Sequence, residues 1–259
     1  FTVLSSDILG RIYEIFIAER LAIVDGELMI VKKPENMERD IVTTPNFVVR
    51  EILRQTAVEI IKDKTAKEIN NLKCADIACG SGAFLLELYQ VLHDSLVDYY
   101  LENDRGKLIQ TSIGTYKLPY EMKRNLLVNC IYGVDKDFNA VEACKFGLLL
   151  KLFEDEDVNS LFSFHPILPD LSNNIFYGNS LLSTVDVPSN DIFEINPFDF
   201  GDRSFNLIIG NPPYMKTEDI KAFTPKEKIL YEKRNRYKTA YKQYDKYFLF
   251  IEQALNLLK

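Results

Sequence analysis

The chain contains a rigid corner, Asn-Pro-Pro-Tyr, directly after the apolar segment Phe205–Gly210. Prolines lack the backbone N–H that a strand ladder needs, so a buried strand must end at this corner. The fixed backbone lets the side-chain oxygen of Asn211 and a neighbouring carbonyl oxygen point to one spot, next to the ring of Tyr214. Two acceptors beside a ring suit the amino group of a planar base such as adenine, whose N6 has two N–H donors. We therefore interpret the corner as a catalytic site formed by Asn211, Pro212, Pro213 and Tyr214.

A glycine-rich turn, Cys-Gly-Ser-Gly, lies between the short apolar segment Cys74–Ala78 and a helix-like sequence. Gly80 and Gly82 allow a tight turn and a close approach of a ligand to the backbone, and the helix N-terminus that follows favours an anionic group. An isolated Gly-x-Gly is weak evidence, because ordinary strand-to-helix turns also contain it. Leu85 stands where the dinucleotide fingerprint has its third glycine, which argues against a nicotinamide or flavin enzyme.

Three polar residues, Asp76, Asp135 and Asn179, lie at or near the carboxyl ends of three successive predicted strands. Open α/β sheets bind ligands in the crevice outside these strand ends, and a carboxylate after the second strand can hold ribose hydroxyls. Far more than the usual ~20 residues separate Gly82 from Asp135, so this interpretation requires an insertion, which we place at residues 103–129. The sequence therefore predicts a nucleoside site along this edge of the sheet.

An α/β architecture is needed to position these residues. Four apolar segments alternate with helical patterns, which predicts a Rossmann-like parallel sheet with helices on both faces and right-handed crossovers. Upstream, one helix is predicted from Ser6 to about Arg20 and another from Thr44-Pro45, with Thr44 as N-cap, while residues 25–40 have a turn-rich composition. We divide the chain into a small helical N-terminal segment, residues 1–43, and an α/β domain that contains the predicted nucleoside site, residues 44–259. The predicted strands are Cys74–Ala78, Cys130–Asp135, Asn174–Asn179 and Phe205–Gly210.

The composition excludes several classes of protein. With 259 residues, of which 47% are hydrophobic and 27% charged, the chain is large enough to bury a core. It has no apolar run of membrane-spanning length and no recognisable signal peptide. Its four cysteines show no Cys-x-x-Cys spacing and its two histidines have no ligand-like neighbours, so we expect a cytoplasmic protein with reduced thiols and no metal site. The net charge of −7 argues against a surface that is basic throughout but allows a local basic groove.

Taken together, these motifs resemble those of the amino-group DNA methyltransferases that use S-adenosylmethionine. The adenine-N6 enzymes of restriction–modification systems are the most similar, especially those that fuse restriction and methylation in one protein. The order of the motifs is specific, whereas Asn-Pro-Pro-Tyr alone is not. The segments that carry the resemblance are Thr43–Leu53, Asp76–Phe84, Tyr132–Asp137, Gly178–Leu182, Gly210–Tyr214 and Tyr244–Lys259.

The resemblance implies a role for each site residue. The corner would hold an adenine flipped out of double-stranded DNA, and its N6 would receive a methyl group from S-adenosylmethionine, the implied cofactor. The cofactor residues would be Thr44 and Asp76 at the methionine end, Cys79, Gly80 and Gly82 through the backbone, Asp135 at the ribose, and Lys136, Asn179 and Phe250 around the adenine. The resemblance also implies that residues 44–259 form an S-adenosylmethionine-dependent methyltransferase domain. Because the family continues with further strands and a target-recognition domain, we expect this domain to be truncated on its C-terminal side, with restriction or specificity domains as partners in the parent protein.

The segment Met215–Lys246 supports a nucleic-acid partner, since it contains ten Lys or Arg against five acids, with tyrosines interleaved at 231, 237, 241 and 244. Directly after the corner, this pattern favours a flap that contacts DNA phosphates. A solvated amphipathic helix is the alternative interpretation of the same residues.

Two other functions stay open from the sequence. Asn-Pro-Pro-Tyr also occurs in methyltransferases that act on protein glutamine N5 or on RNA bases, and the chain could be a non-catalytic module of a restriction complex. The upstream Thr-Pro helix and the basic segment favour DNA.

Overall fold

The computed structural model describes residues 19–24, 26–32, 44–111, 114–154, 156, 168–233 and 236–259. The first of these residues form an antiparallel hairpin of strands β1 (Glu19–Val24) and β2 (Glu27–Lys32), and Gly26 has a φ of 84° in the turn between them. The Asp-Gly pair at positions 25 and 26 is a sequence signal for such a two-residue turn, because type I′ turns need positive φ.

The hairpin corrects two predictions for the N-terminal segment. The helix predicted from Ser6 lies outside the described residues as far as residue 18, but Glu19 and Arg20 belong to a strand, so the prediction is wrong at its C-terminal end. The stretch predicted as turn-rich, residues 25–40, contains β2. The helical description of residues 1–43 therefore does not hold for the described hairpin, where short apolar runs bounded by a turn favour strands.

The helix predicted at Thr44-Pro45 is confirmed, with an offset of one residue at its start. Helix α1 (Asn46–Gln55) has Pro45 as its N-cap, and the Pro45 carbonyl accepts hydrogen bonds from the N–H groups of Val48 and Val49. No side chain caps this helix, so the predicted capping role of Thr44 is wrong. The hydroxyl of Thr44 has a different partner, described below.

The rest of the chain alternates between strands and helices, as predicted. Two short 3₁₀ helices, Arg105–Lys107 and Ser189–Asp191, occur in the connections. The predicted insertion at residues 103–129 contains a small hairpin, in which Ile109–Gln110 pairs with Tyr116–Lys117, and most of the helix Tyr120–Cys130. In the part of the chain that the structure describes, the elements after α1 are α2 Ala57–Ile61, α3 Ala66–Ile69, β3 Cys74–Asp76, α4 Ala83–Asn103, β4 Ile109–Gln110, β5 Tyr116–Lys117, α5 Tyr120–Cys130, β6 Ile131–Asp135, α6 Phe138–Leu152, β7 Ile175–Tyr177, α7 Ile192–Ile195, β8 Leu207–Ile208, α8 Thr217–Phe223, α9 Pro225–Glu232 and α10 Lys246–Leu257.

Strands β3, β6, β7 and β8 form one parallel sheet in the order β7-β6-β3-β8. Each of the four predicted strands is present, although the observed strands are shorter. The first strand of this sheet along the chain is β3, which lies in its interior. Strands β6 and β7 follow on one side of β3, and β8 is placed on the other side. The ends of β3 and β8 thus flank a topological switch point, which is where open α/β sheets bind their ligands.

Helices cover both faces of the sheet and form two apolar cores. Successive residues of a strand point to opposite faces, so Cys74 and Ala75 of β3 belong to different cores. The first core lies under α1, α4, α5 and α6, and the second lies under α8, α9 and α10. This arrangement confirms the predicted fold class, a Rossmann-like parallel sheet with helices on both faces.

The basic segment Met215–Lys246 is folded against the second core. Helices α8 and α9 bury Ile220, Leu230 and Tyr231 there. Among the interleaved tyrosines, Tyr231, Tyr237 and Tyr244 are 5% exposed or less, whereas Tyr241 is 69% exposed. The sequence pattern did not show that these tyrosines are packing residues, so the interpretation of all four as part of a DNA-contacting flap is wrong for three of them.

Several cations of the same segment form ion pairs with acidic residues of the protein. The ion pairs are Lys226 with Asp191 and Glu194, Lys228 with Glu232, Arg236 with Asp186, and Lys246 with Glu227. Contact with DNA phosphates therefore stays a prediction for the other exposed basic residues that the structure describes here. They are Lys216, Lys221, Lys233, Lys238 and Lys242.

Candidate active site

The predicted site residues lie along one edge of the sheet, because the neighbouring strands are parallel and end together. Asp76 is the last residue of β3 and Asp135 is the last residue of β6, and Asn179 follows β7 by two residues. The Asn-Pro-Pro-Tyr corner follows β8 on the other side of β3. The structure thus groups the predicted cofactor residues and the predicted catalytic corner on the two sides of β3.

The glycine turn is tied to β6 and α6. Gly80 and Gly82 have φ values of 51° and 92°, a region that side chains with a Cβ rarely adopt. A Cβ on Gly82 would lie 2.6 Å from Sγ of Cys144, so α6 packs directly on the turn. Cys79, which is buried, donates its N–H to the carbonyl oxygen of Val134 at 3.1 Å. Glycine is therefore required at Gly82 for packing as well as for backbone conformation.

Asp135 holds the same turn through its carboxylate. Its Oδ2 accepts a hydrogen bond from the Gly80 N–H at 2.8 Å, and its Oδ1 accepts one from the Asp137 N–H at 2.8 Å. Burial raises the pKa of the Asp135 carboxyl, and these two hydrogen bonds oppose that rise. Each carboxylate oxygen has a further lone pair with which to accept a ligand hydroxyl.

Asp76 is buried directly against the start of the corner. Its Oδ1 accepts a hydrogen bond from the Ala78 N–H at 3.0 Å, and burial raises the pKa of its carboxyl to about 7. A Cβ on Gly210 would clash with the same Oδ1. The absence of a side chain at Gly210 therefore lets the Asp76 carboxyl approach the backbone immediately before Asn211.

The Asn211 amide is held by two hydroxyl groups. Its Nδ2 donates a hydrogen bond to Oγ1 of Thr44 at 3.0 Å, and its Oδ1 accepts one from the Tyr214 hydroxyl at 2.9 Å. The Tyr214 side chain is half exposed, and its ring centroid lies 5.6 Å from that of Tyr247. The corner therefore presents an oriented amide next to an accessible aromatic ring.

Asn179 offers a buried hydrogen-bonding group with no acceptor in place. Its Oδ1 accepts a hydrogen bond from the Leu181 N–H at 3.1 Å, while its Nδ2 makes no hydrogen bond of good geometry. That nitrogen is nevertheless close enough to the Tyr231 hydroxyl to oppose the rise in pKa that burial imposes on Tyr231. A ligand edge with an acceptor would satisfy Nδ2, because a buried donor without a partner is costly.

These features fit S-adenosylmethionine. The space above Gly80 is open, since a Cβ there would meet no atom within 4 Å, and it adjoins the Asp135 carboxylate. Asn179 follows the next strand along the sheet, β7, and therefore lies at the same edge of the sheet. Within the residues that the structure describes, no group of three or more His, Cys, Asp or Glu could hold a metal ion. The described part of the chain also has no helix long and apolar enough to cross a membrane.

Lys136, predicted beside the cofactor adenine, belongs to a charged cluster that the sequence did not reveal. It forms an ion pair with Glu227 of α9, which also pairs with Lys246 at 3.4 Å and accepts a hydrogen bond from the Tyr231 hydroxyl at 2.6 Å. Burial alone raises the pKa of Glu227, but Lys246 and Lys136 lower it to about 2. The spacing of Glu227 and Tyr231 on one face of a helix was the available signal. Phe250 is buried in the second core.

A Rossmann-like sheet with a glycine turn, an acid after the second strand and an Asn-Pro-Pro-Tyr corner defines the class of S-adenosylmethionine-dependent methyltransferases. The chain belongs to the Eco57I restriction-modification methylase family, whose profile matches residues 129–259. This membership confirms the resemblance to restriction–modification methylases, and it agrees with S-adenosylmethionine as the cofactor.

Two curated relatives are longer than this chain. It is 54% identical over 261 residues to the type II restriction enzyme and methyltransferase RM.Eco57I of Escherichia coli, a match that covers 100% of this chain and 26% of the relative. It is 29% identical over 209 residues to the type II methyltransferase M.BstVI of Geobacillus stearothermophilus, covering 78% of this chain and 30% of that protein. The chain thus spans about a quarter of the length of the first relative.

Proposed function

We propose that this chain carries the methyl-transfer site of an adenine-N6 DNA methyltransferase, which acts on an adenine flipped out of the double helix in a restriction–modification system. The observation that carries this proposal is the Asn211 amide, held between Thr44 and Tyr214 next to the buried carboxyl of Asp76. An oriented acceptor beside a cofactor edge is what transfer to an amino group requires.

The chemistry of the corner follows from its acceptors. The lone pair of an adenine N6 is delocalised into the ring, so the amino group is a weak nucleophile. Asn211 Oδ1 and the Pro212 carbonyl oxygen accept hydrogen bonds from its two N–H groups. These hydrogen bonds favour a more tetrahedral nitrogen with an available lone pair. When bound, S-adenosylmethionine supplies an electrophilic methyl group. Holding the amine in line with this methyl group lowers the reaction barrier by an amount on the order of 7 kcal/mol through orientation.

The other residues of the site bind the cofactor. In the proposal, Asp76 and Thr44 contact the methionine end of the cofactor, the turn at Cys79, Gly80 and Gly82 approaches it through backbone groups, and Asp135 holds the ribose. Asn179, with Lys136 and Phe250 nearby, contacts the adenine of the cofactor. The Pro212-Pro213 backbone keeps the corner rigid.

Tyr214 would receive the target base. Moving an adenine out of the duplex costs a few kcal/mol, and stacking on an aromatic ring returns about 1–3 kcal/mol of it. The Tyr214 ring is accessible for this, since it is 51% exposed. Its hydroxyl donates a hydrogen bond to Asn211 Oδ1. A hydrogen bond from the amino group of the base would replace it.

The proposed partners are DNA and a restriction domain. The Escherichia coli relative is described as both restriction enzyme and methyltransferase, and we propose that the protein containing this chain combines the two activities in the same way. A cytoplasmic location suits this function, and the free, buried cysteines Cys74, Cys79, Cys130 and Cys144 are compatible with it.

A labelling assay tests the proposal. The natural full-length protein is incubated with S-adenosylmethionine carrying a tritiated methyl group and, separately, with DNA, RNA and a release factor. We expect label only on DNA and, after digestion to deoxynucleosides, only on N6-methyl-2′-deoxyadenosine. Label on cytosine, RNA or protein glutamine would refute adenine-N6 specificity, and binding of the cofactor without any transfer would indicate a non-catalytic module.

Asn211→Ala is the matching variant. It removes the acceptor for the reacting amine and leaves the cofactor contacts in place, so we expect turnover to fall by ~10²–10³-fold with nearly unchanged calorimetric affinity for the cofactor. Asn103→Ala serves as the control, because Asn103 is an exposed residue at the end of α4. Wild-type turnover in Asn211→Ala would remove the corner from the reaction.

A further inference from the structure

The hydroxyl of Thr44 has one hydrogen-bond partner in the structure, and that partner is the Asn211 amide 167 residues away in sequence. The helix that follows Thr44 is capped by the Pro45 carbonyl, without a side-chain cap. Thr44 is therefore not needed to start α1. Its hydroxyl is instead placed across the site from β8.

The direction of this hydrogen bond determines which end of the amide faces the substrate. A threonine hydroxyl has one hydrogen to donate and two lone pairs with which to accept. In the structure Thr44 Oγ1 accepts from Asn211 Nδ2, which turns the carbonyl oxygen of the amide toward Tyr214. The reversed amide would present a second N–H donor to the amino group of the base, and two donors repel each other.

We propose that Thr44 is a positioning residue that sets the orientation of the Asn211 amide, so that Oδ1 faces the amino group of the target base. This inference rests on the proposed function. Tyr214 acts as a temporary substitute for the base, because its hydroxyl donates to Oδ1 in the same way as an amino N–H. Thr44 keeps its contact when the base arrives, and Tyr214 releases its contact.

This role is compatible with the cofactor contact implied for the same residue. While Thr44 accepts from Asn211, its own hydrogen can be donated to an acceptor at the methionine end of the cofactor. A hydroxyl that donates there can only accept from Asn211. Cofactor binding would then strengthen the productive orientation of the amide.

A binding experiment separates orientation from cofactor affinity. The full-length protein is loaded with S-adenosylhomocysteine, which has no methyl group to transfer. It is titrated with duplexes in which the target position, located by the labelling assay, carries adenine or purine opposite an abasic position. Both bases are then unpaired and differ only in the amino group. The ratio of their affinities measures the contact with Asn211 Oδ1.

Thr44→Val keeps the shape of the side chain and removes the hydroxyl. We expect it to lower the adenine-to-purine affinity ratio by about 10-fold, the equivalent of one hydrogen bond, and to lower turnover by at least as much. Thr44→Ser, which retains the hydroxyl, should restore most of both. Thr56→Val is the matched control, because that hydroxyl donates to the Ile52 carbonyl at the end of α1, away from the corner.

A double-mutant cycle completes the test. If Thr44 acts through Asn211, then Thr44→Val should reduce the ratio no further in an Asn211→Ala background. An unchanged ratio in Thr44→Val, together with a reduced ratio in Asn211→Ala, would overturn this inference and leave the proposed function intact. A ratio that Asn211→Ala does not change would instead refute the proposed role of the corner. Weaker S-adenosylhomocysteine binding by Thr44→Val, with an unchanged ratio, would assign Thr44 to the cofactor alone. Thermal melting and Thr44→Ser identify any variant that fails to fold.

Discussion

At the scale of single residues, Asp76 combines burial with an ionisable group. Its side chain is enclosed by the glycine turn and Gly210, and burial raises the pKa of its carboxyl from the usual range to about 7. The folded protein therefore binds this proton more tightly than the unfolded chain does. Ionisation is opposed by the fold, and the group stabilises the protein only while it stays protonated.

This linkage gives a prediction with a definite sign. The contribution of Asp76 to stability is complete below about pH 4 and is lost as the pH rises to about 7. At about 1.4 kcal/mol per pKa unit, up to roughly 4 kcal/mol is involved. Urea unfolding of wild type and Asp76→Asn at pH 5 and pH 8 measures it. We expect the variant to be relatively more stable at pH 8, with exposed Asp98→Asn as control. An equal difference at both pH values would contradict the assignment.

At the scale of elements, the charged cluster around Glu227 connects α9 and α10 with the end of β6. Lys136 follows Asp135 directly, so this ion pair joins the predicted ribose site to the helices behind the corner. Glu227 and Lys246 are both buried, at 6% and 5% exposed. Removing one member of a buried charge group leaves the others without compensation, which is costly.

Glu227→Gln should therefore destabilise the protein by about 3–5 kcal/mol. Glu232→Gln on the same helix is the matched control, because its pair with Lys228 is more exposed and should contribute about 0–1 kcal/mol. The pKa of Glu227 is lowered to about 2, so its contribution is present above its unfolded pKa and is lost as the pH falls toward 2. Urea unfolding between pH 2 and pH 7 measures this. The loss of unfolding free energy in Glu227→Gln should shrink in acid until it is similar to the loss in Glu232→Gln. A loss below 1 kcal/mol for Glu227→Gln would show that the cluster is not coupled to folding.

At the scale of the whole molecule, helix α10 exposes an apolar stripe. Phe248, Ile251 and Leu255 lie at helical spacing on the face of α10 that points away from the second core, and Leu258, directly after the helix, is also exposed. A sheet of four parallel strands has an open edge beside β8, but Phe205, just before β8, forms a parallel bridge with Leu258. The apolar stripe next to this edge of the sheet is therefore on a helix.

We expect the isolated chain to self-associate through this stripe, because contiguous apolar surface favours association. Leu255→Lys, at a position that is 66% exposed, should reduce the association without loss of stability. Phe193→Lys is the control, since Phe193 is 97% exposed and lies outside the stripe. Light scattering at several concentrations measures the effect. A wild-type chain that stays monomeric would contradict the prediction.

Local sequence patterns are sufficient to predict the alternation of strands and helices and the position of each motif within it. The glycine turn, Asp135, Asn179 and Asn211 were placed at strand ends because hydrophobic period, glycine and proline act within a few residues of their own position. The same local rules missed the hairpin of β1 and β2, where a short apolar run was not read as a strand. They also assigned Thr44 to a helix cap, because that position satisfies the local pattern.

Which of these residues contact each other depends on the long-range packing of the chain. The partner of Thr44 is Asn211, and the partner of Lys136 is Glu227, 91 residues further along the chain. The order β7-β6-β3-β8 brings them together, and no local pattern encodes that order. Tyr231, Tyr237 and Tyr244 are core residues for the same reason, since amphipathic side chains are buried or exposed according to the surface packed against them. Sequence spacing specifies the elements, whereas long-range packing specifies the contacts between them.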